Sequence, residues 1–321
     1  MRFTLKQLRY LHTAGRVGAI GQASQTLNIS QSSITGALDA IEQELNLTIF
    51  KRIPSAGLQP TAVGREVLRK TARFLAEADN FSSELAATGS GKSGTFHLAL
   101  YRPSAPIVIN SVLQRFTERY GHAQIKITEG ELDTLLDLLD NADVDAVFPF
   151  RRVDRKDHGF MPLFEARPYA ALPLDSPLSQ QADVSLSELV SLPMILLDLP
   201  VARDRYLDLF LQRGLEPDVR HTVQTSYVAC ALVSAGLGFS ILNLSDPTSA
   251  EEDQSYRAVP IRDEVHVPVY GVAYPAGVTP SKISQQFFEV VEELAHENAF
   301  EALTVSKKTK NSLIKHKKHI L

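Results

Sequence analysis

The sequence predicts an α + α/β chain: a small helical amino-terminal module, one long helix, and a larger α/β body. Three observations predict it. Over the first sixty residues, apolar side chains recur at helical spacing in short runs. A stripe alternating steps of four and three comes next. From Thr95 onward, β-prone runs alternate with helical segments, the pattern of layered, largely parallel sheets.

Leu5, Leu8, Tyr10 and Leu11 begin a first helix, and Ile20 to Leu27 makes a second. Asn28-Ile29-Ser30 connects it to a third, Gln31 to Leu45, whose Ile34, Leu38, Ile41 and Leu45 share one buried face. The Ser30 hydroxyl is placed to cap this helix. Its outward side carries Ser32, Ser33, Thr35 and Gly36, where stability alone would favour Glu, Lys or Ala. Two short helices joined tightly, the second presenting small polar groups, form a helix-turn-helix pattern. In "NLTIFKRIPSAGLQPT" the β-prone residues with Pro54 and Gly57 predict a hairpin, or wing, so that residues 1–60 form a winged helix-turn-helix.

Thr61 reads as the N-cap of a long dimerisation helix over residues 61–88. Val67, Thr71, Phe74, Ala78, Phe81 and Leu85 form its apolar seam. A lone helix leaves such a stripe wet, and a second copy covers it, so a homodimer is expected; packing onto the chain's own body is the alternative. "ATGSGKSG" supplies a linker, with a hinge at residues 89–94. Its Gly91-Lys92-Ser93 imitates half of a phosphate-binding loop, but Ala86 stands where the first glycine is needed and no strand precedes it. In the body, "TFHLAL", "AQIKIT", "VDAVFPF", "PMILLDL", "DVRHTV", "GFSILN" and "VPVYGVAYP" are the strand candidates, with helices such as Val108 to Arg119 and Ser281 to His296 between them.

The net charge of −4 hides a polarised chain. Residues 1–92 hold eleven Lys and Arg against seven Asp and Glu, residues 93–305 sixteen against thirty, and residues 306–321 six against none. Basic ends around an acidic body suggest different partners, one of them a polyanion. One cysteine, Cys230, excludes an internal disulfide and a four-cysteine zinc site. No early apolar run is long enough for a signal peptide or a membrane span, so a cytoplasmic protein with no membrane partner is expected.

In order and in detail, the helix-turn-helix, wing, long helix and α/β body resemble a LysR-type transcriptional regulator. "SQSSITGALDAIEQELNLTIFKR", "GLQPTAVGREVL" and "LVSAGLGFSILN" carry the resemblance, which covers residues 1 to about 300. Ser32, Gly36 and Pro60-Thr61-Ala62 depart from the family, which usually has proline, a basic residue and Leu-Thr-Pro there. The resemblance implies a two-lobed body like a periplasmic binding protein, with an effector cleft between lobe I (95–165 and 267–300) and lobe II (166–266). It also implies a homodimer or homotetramer, with RNA polymerase admitted as a further partner. The basic tail, 301–321, reads as a solvated extension.

Between Ser30 and Asn46 there is no Lys or Arg, while Asp39, Glu42 and Glu44 make the third helix acidic. Attraction to the phosphates of double-stranded DNA must therefore come from its neighbours: Lys6, Arg9, Lys51, Arg52 and Arg65, with Arg52 foremost. Base edges fall to Gln31, whose amide pairs with adenine, and to Ser32, Ser33 and Thr35.

Two segments read as helix starts that attract anions: "YRPSAPIV" with Ser104, and "QTSYVACALV" with Thr225 and Ser226. Arg203 follows a strand and suits a carboxylate. A small-molecule effector, a carboxylate or similar, is the expected ligand. The resemblance adds Glu129, Gly130, Phe148, Phe150, Asp198, Tyr227 and Asn243 to the cleft.

No cofactor, metal site or catalytic group is expected. The nine histidines are scattered singly, GxSxG is absent, and Gly236-Leu237-Gly238 lacks the third glycine of a dinucleotide fingerprint. An enzyme with an α/β body and a solute-binding protein of transport are the rivals to a regulator; the basic amino-terminal helices oppose the latter.

Overall fold

The computed structural model describes residues 3–53, 57–90, 95–121, 123–151, 158–246, 256–277 and 279–305. The wing tip at 54–56, the hinge from 91 to 94 and the tail from 306 lie outside the described residues. The chain divides into two compact units. One comprises Met1–Tyr101, Phe116–Phe160 and Val272–Glu289; the other comprises Arg102–Arg115, Met161–Gly271 and Val290–Leu321.

The first unit begins with α1 (Leu5–Val17), α2 (Ile20–Leu27) and α3 (Gln31–Leu45). Local chemistry sets each boundary. Thr4 caps α1 in a reciprocal capping box with Gln7. Ser30 Oγ accepts from the Ser33 amide at 3.2 Å, the predicted cap of α3. Asn28 and Asn46 end α2 and α3 in the left-handed region, at φ 52° and 51°, a conformation asparagine tolerates better than most residues. Leu8, Leu11, Ala14, Ala23, Ile34, Leu38 and Ile41 form one core. Each fully buried Leu or Ile there contributes roughly 1.5–3 kcal/mol.

The predicted wing is an antiparallel pair, β1 (Phe50–Ile53) and β2 (Gly57–Pro60), in register from Phe50↔Pro60 to Ile53↔Gly57. Its approach to α3 is fixed by Glu42, whose Oε1 accepts from the Ile49 and Phe50 amides at 2.6 and 3.0 Å. Thr61 then joins the wing to α4 (Ala62–Ser90): its hydroxyl accepts from the Gly64 amide and donates to the Thr48 carbonyl, both at 2.8 Å. The helix passes so close to the wing that a Cβ on Gly64 would lie 2.0 Å from the Ile49 carbonyl oxygen.

The seam of α4 divides between two surroundings. Of the expected seam, Val67 packs partly buried against the module's core and Thr71 is buried; Leu68, Ala72 and Leu75, which lie outside that seam, are buried as well. Phe74, Phe81 and Leu85 remain exposed, at 42%, 63% and 60%. Packing of α1 against the helix's first half accounts for this division: a Cβ on Gly15 would meet Leu68 at 2.6 Å.

In the body, β3 (Thr95–Tyr101), α5 (Ala105–Arg119), β4 (Gln124–Gly130), α6 (Leu132–Asp140), β5 (Ala146–Phe148) and β6 (His158–Glu165) follow. With β12 (Val269–Pro275), the strands form a five-stranded sheet in the order β4-β3-β5-β12-β6. β3 runs parallel to β4 and β5, whereas β12 meets β5 antiparallel. The sheet is therefore mixed, because β12 returns from much later in the chain. Phe287 of α10 (Lys282–His296) stacks on Phe96 at 4.3 Å and meets Phe148 edge-on at 6.2 Å.

The second unit holds β7 (Tyr169–Pro173), α7 (Leu186–Leu189), β8 (Met194–Leu197), α8 (Pro200–Leu211), β9 (Val219–Val223), α9 (Ser226–Ser234), β10 (Ser240–Leu242) and β11 (Tyr256–Pro260). β7 lies antiparallel between β10 and β11. β8 and β9 are parallel, so α8 and α9 both begin at the carboxyl ends of adjacent strands. Residues 301–305, read from sequence as tail, belong to the fold: Leu303 is buried and its carbonyl accepts from the Ser245 amide.

Candidate DNA-facing and effector-facing sites

The outward face of α3 is open. Gln31, Ser32, Ser33 and Asp39 are exposed and Thr35 is half-buried. A Cβ on Gly36 would meet nothing within 4 Å. Ser30 Oγ lies 2.9 Å from Ser32 Oγ and 2.8 Å from Ser33 Oγ, so these hydroxyls form one small network at the helix start. The Gln31 amide nitrogen reaches toward Gly21 of α2, where a Cβ would come within 3.7 Å.

The expected phosphate cations surround this helix, each in a distinct setting. Arg52, exposed on β1, donates through Nη2 to Asp39 Oδ1 of α3. Lys51 is exposed beside it. Lys6 sits over the Tyr10 ring, 5.8 Å from its centroid. Arg65 donates to the Pro60 carbonyl at 3.2 Å. Arg9 is tied to α4, donating to Asp79 at 2.5 Å.

That last pair lines a crevice of about 250 Å³ within the first unit, bounded by α1, α4 and the Asn141–Asp143 turn. Arg16 donates to Asp143 Oδ1 there at 3.2 Å. His12 Nε2 and Asp143 Oδ2 are buried without a hydrogen-bond partner among the described residues. Burial holds the His12 imidazole below its ordinary value and Arg16 adds to this, against the opposing pull of Asp143 and a backbone hydrogen bond to Asn141. Neither the Arg9–Asp79 pair nor this crevice was legible in the sequence, because their members come from distant segments.

The residues expected to face an effector fall into both units. In the first, Glu129 is exposed near the end of β4, Gly130 and Phe148 are buried, and Phe150 is half-buried. Phe148 is wholly enclosed in the aromatic core against Phe287.

In the second unit, Ser104 is buried with its hydroxyl 2.7 Å from that of Tyr270. Asn243 is also committed internally. Its Nδ2 donates to the Ala166 carbonyl at 2.6 Å, and its Oδ1 accepts from Tyr206 Oη at 2.7 Å. Burial pushes the Tyr206 hydroxyl up to about 12.

The remaining four residues share one end of β8 and β9. The Asp198 amide donates to the Val223 carbonyl at 2.7 Å, which sets the two strand-to-helix turns side by side. Arg203 donates to Asp198 at 2.9 Å. Thr225 accepts from the Val228 amide at 3.2 Å and so caps α9. Tyr227, 84% exposed, stands on the first turn of that helix beside Ser226.

Among the described residues, no group of three His, Cys, Asp or Glu could hold a metal ion, and no helix is long and apolar enough to cross a membrane. Cys230 is half-buried in α9, and burial pushes its thiol up, away from nucleophilic use.

Comparison with known proteins agrees with this layout. Residues 5–65 match the bacterial regulatory helix-turn-helix proteins of the lysR family, and residues 89–295 match the LysR substrate binding domain. A probable hydrogen peroxide-inducible genes activator of Mycobacterium leprae is 27% identical over 257 residues, covering 79% of this chain and 81% of that protein. The transcriptional dual regulator GltC of Bacillus subtilis is 26% identical over 290 residues, covering 89% and 96%. HinK, a LysR family transcriptional regulator from Pseudomonas aeruginosa, superposes with a TM-score of 0.59 at 26% identity, over 91% of this chain and 99% of its own. Full-length OxyR from the same species shares the fold, with a TM-score of 0.65 at 22% identity, over 91% and 97%. A winged helix-turn-helix, a long helix and an effector-binding α/β body in this order, matched by family over most of the chain, place it in the LysR family of DNA-binding transcriptional regulators.

Proposed function

We propose that this regulator docks α3 in the major groove of its operator as a homodimer and that a small anionic effector acts at the carboxyl ends of β8 and β9. The observation that carries the DNA half is the open face of α3, bare of cations but flanked by Lys51 and Arg52. Gln31, Ser32, Ser33 and Thr35 meet base edges, while Lys6, Lys51, Arg52 and Arg65 meet phosphates. The exposed Phe74, Phe81 and Leu85 support pairing through α4. Footprinting of the full chain on its own upstream DNA tests this. Arg52→Ala should weaken binding to every sequence and reduce the salt slope by about one, whereas Gln31→Ala should mainly relax sequence preference. Equal losses on operator and random DNA for both variants would refute the division.

The effector half rests on Arg203, whose partner Asp198 is a carboxylate of the chain itself. An incoming carboxylate would exchange with Asp198 for the guanidinium, take free amides at the start of α9, and lay its apolar part on Tyr227. Ser104, Phe148 and Asn243 are engaged internally, with Tyr270, Phe287, and Tyr206 and Ala166. A thermal-shift screen of small carboxylates should find a stabilising ligand, and Arg203→Ala should abolish that shift while sparing DNA binding. Retention of the full shift by Arg203→Ala would refute the assignment. With Cys230 as the only cysteine, a disulfide within one chain is excluded as the signal.

A further inference from the structure

Asp39 is placed where a carboxylate on a DNA-facing helix is least expected. Seven helical residues turn through roughly 700°, so Asp39 lies about 20° from Ser32 around the axis, between Thr35 and Gly36 on the next turns. Ile34, Leu38 and Ile41 are buried on the opposite side. Asp39 therefore occupies the middle of the outward face, beside the open space over Gly36. The other acid near this face, Glu42, is turned inward to accept the Ile49 and Phe50 amides.

A bare carboxylate at this position would be repelled by the DNA backbone. Arg52 cancels that charge: its Nη2 holds Asp39 Oδ1 and fixes the side chain's direction. Oδ2 has no partner among the described residues. The guanidinium keeps further N–H groups, enough for a phosphate as well.

We propose that Asp39 is a specificity-determining residue that reads cytosine, with Arg52 as its positioning partner. The inference rests on α3 entering the major groove. An ionised carboxylate only accepts hydrogen bonds, so it selects base edges that donate. In the major groove these are the N4 amino group of cytosine and the N6 amino group of adenine. Adenine sets its N7 acceptor beside that donor, which repels a carboxylate, whereas cytosine presents the donor alone. The hydroxyls of Ser32, Ser33 and Thr35 both donate and accept, so the obligate acceptor at Asp39 adds information they do not carry.

Selection of randomised duplex DNA by the full-length protein, repeated with Asp39→Ala and Asp39→Asn, tests this. The parent should select a motif with a fixed C·G pair in each half-site. Asp39→Ala should select the same motif without that preference, with about a tenfold or greater loss of discrimination at that one position. Asp39→Asn should move the preference toward A·T, as an amide pairs with adenine. An unchanged motif with uniformly stronger or weaker binding in both variants would overturn the proposal, since Asp39 would then act only through charge or structure. If the parent selected no motif at all, the base-reading role of α3 itself would fall with it.

Discussion

Replacing Glu42 by alanine should loosen the wing more than any other single change on the surface of α3. Its Oε1 accepts two amides, at Ile49 and Phe50, whose residues are 0% and 4% exposed. A hydrogen bond to a charged group contributes about 1.5–3 kcal/mol, and a buried amide left without a partner costs about 1–3. Since both bonds share one oxygen, about 3 kcal/mol in total is a reasonable expectation. At 1.4 kcal/mol per factor of ten, that corresponds to about a 100-fold rise in local opening. Hydrogen exchange at the Ile49 and Phe50 amides of the full-length protein reads this opening directly. Glu42→Gln keeps an acceptor oxygen but not the charge, so it should lose about half as much in free energy. Because Arg52 lies two residues beyond Phe50, Glu42→Ala should also weaken DNA binding. Exchange within threefold of the parent would show that the carboxylate does not anchor the wing, and the account of how α3 positions β1 would be refuted.

Gly64→Ala should sharply lower the melting temperature, because its Cβ would sit 2.0 Å from the Ile49 carbonyl; Gly36→Ala, with nothing within 4 Å, should melt at or above the parent, by up to about 1 kcal/mol of helix propensity. His12 is held below its ordinary value chiefly by burial. Its contribution is therefore fully present above pH about 6.5 and is lost as the pH falls. Urea titrations between pH 7.5 and 5 should show a decline that His12→Gln flattens, and parallel curves would contradict this. Charges placed on the exposed stripe of α4 by Phe81→Glu with Leu85→Glu should convert a dimer to monomers in sedimentation and weaken operator binding; an unchanged dimer would mean that this stripe is not the pairing surface.

The amino-terminal module was legible because its signals are local. Ser30 and Thr61 cap the helices their hydroxyls are expected to cap, and Ile34, Leu38 and Ile41 are buried together as their spacing requires, whereas Leu45, expected on the same face, lies at the helix end and is 37% exposed. What escaped the sequence depends on distant partners. Arg9 finds Asp79, 70 positions away, and the Asn243 amide finds Ala166, 77 positions away. β7 escaped for another reason: "YAALP" is buried throughout but has only Tyr169 as a β-prone residue, so its place between β10 and β11 makes it a strand where propensity is weak.

The acidic character of α3 illustrates the same limit. Sequence alone counts three carboxylates on a helix that must approach a polyanion. In the fold, Glu42 faces the backbone of the wing and Asp39 is matched by Arg52, a cation thirteen residues on. Charge along a sequence therefore misstates the field that DNA meets, because β1 returns a guanidinium to the same surface. For this surface, the charge that DNA meets is set jointly by α3 and β1: Arg52→Ala should lower affinity for every sequence and, beyond that, remove the guanidinium that directs Asp39.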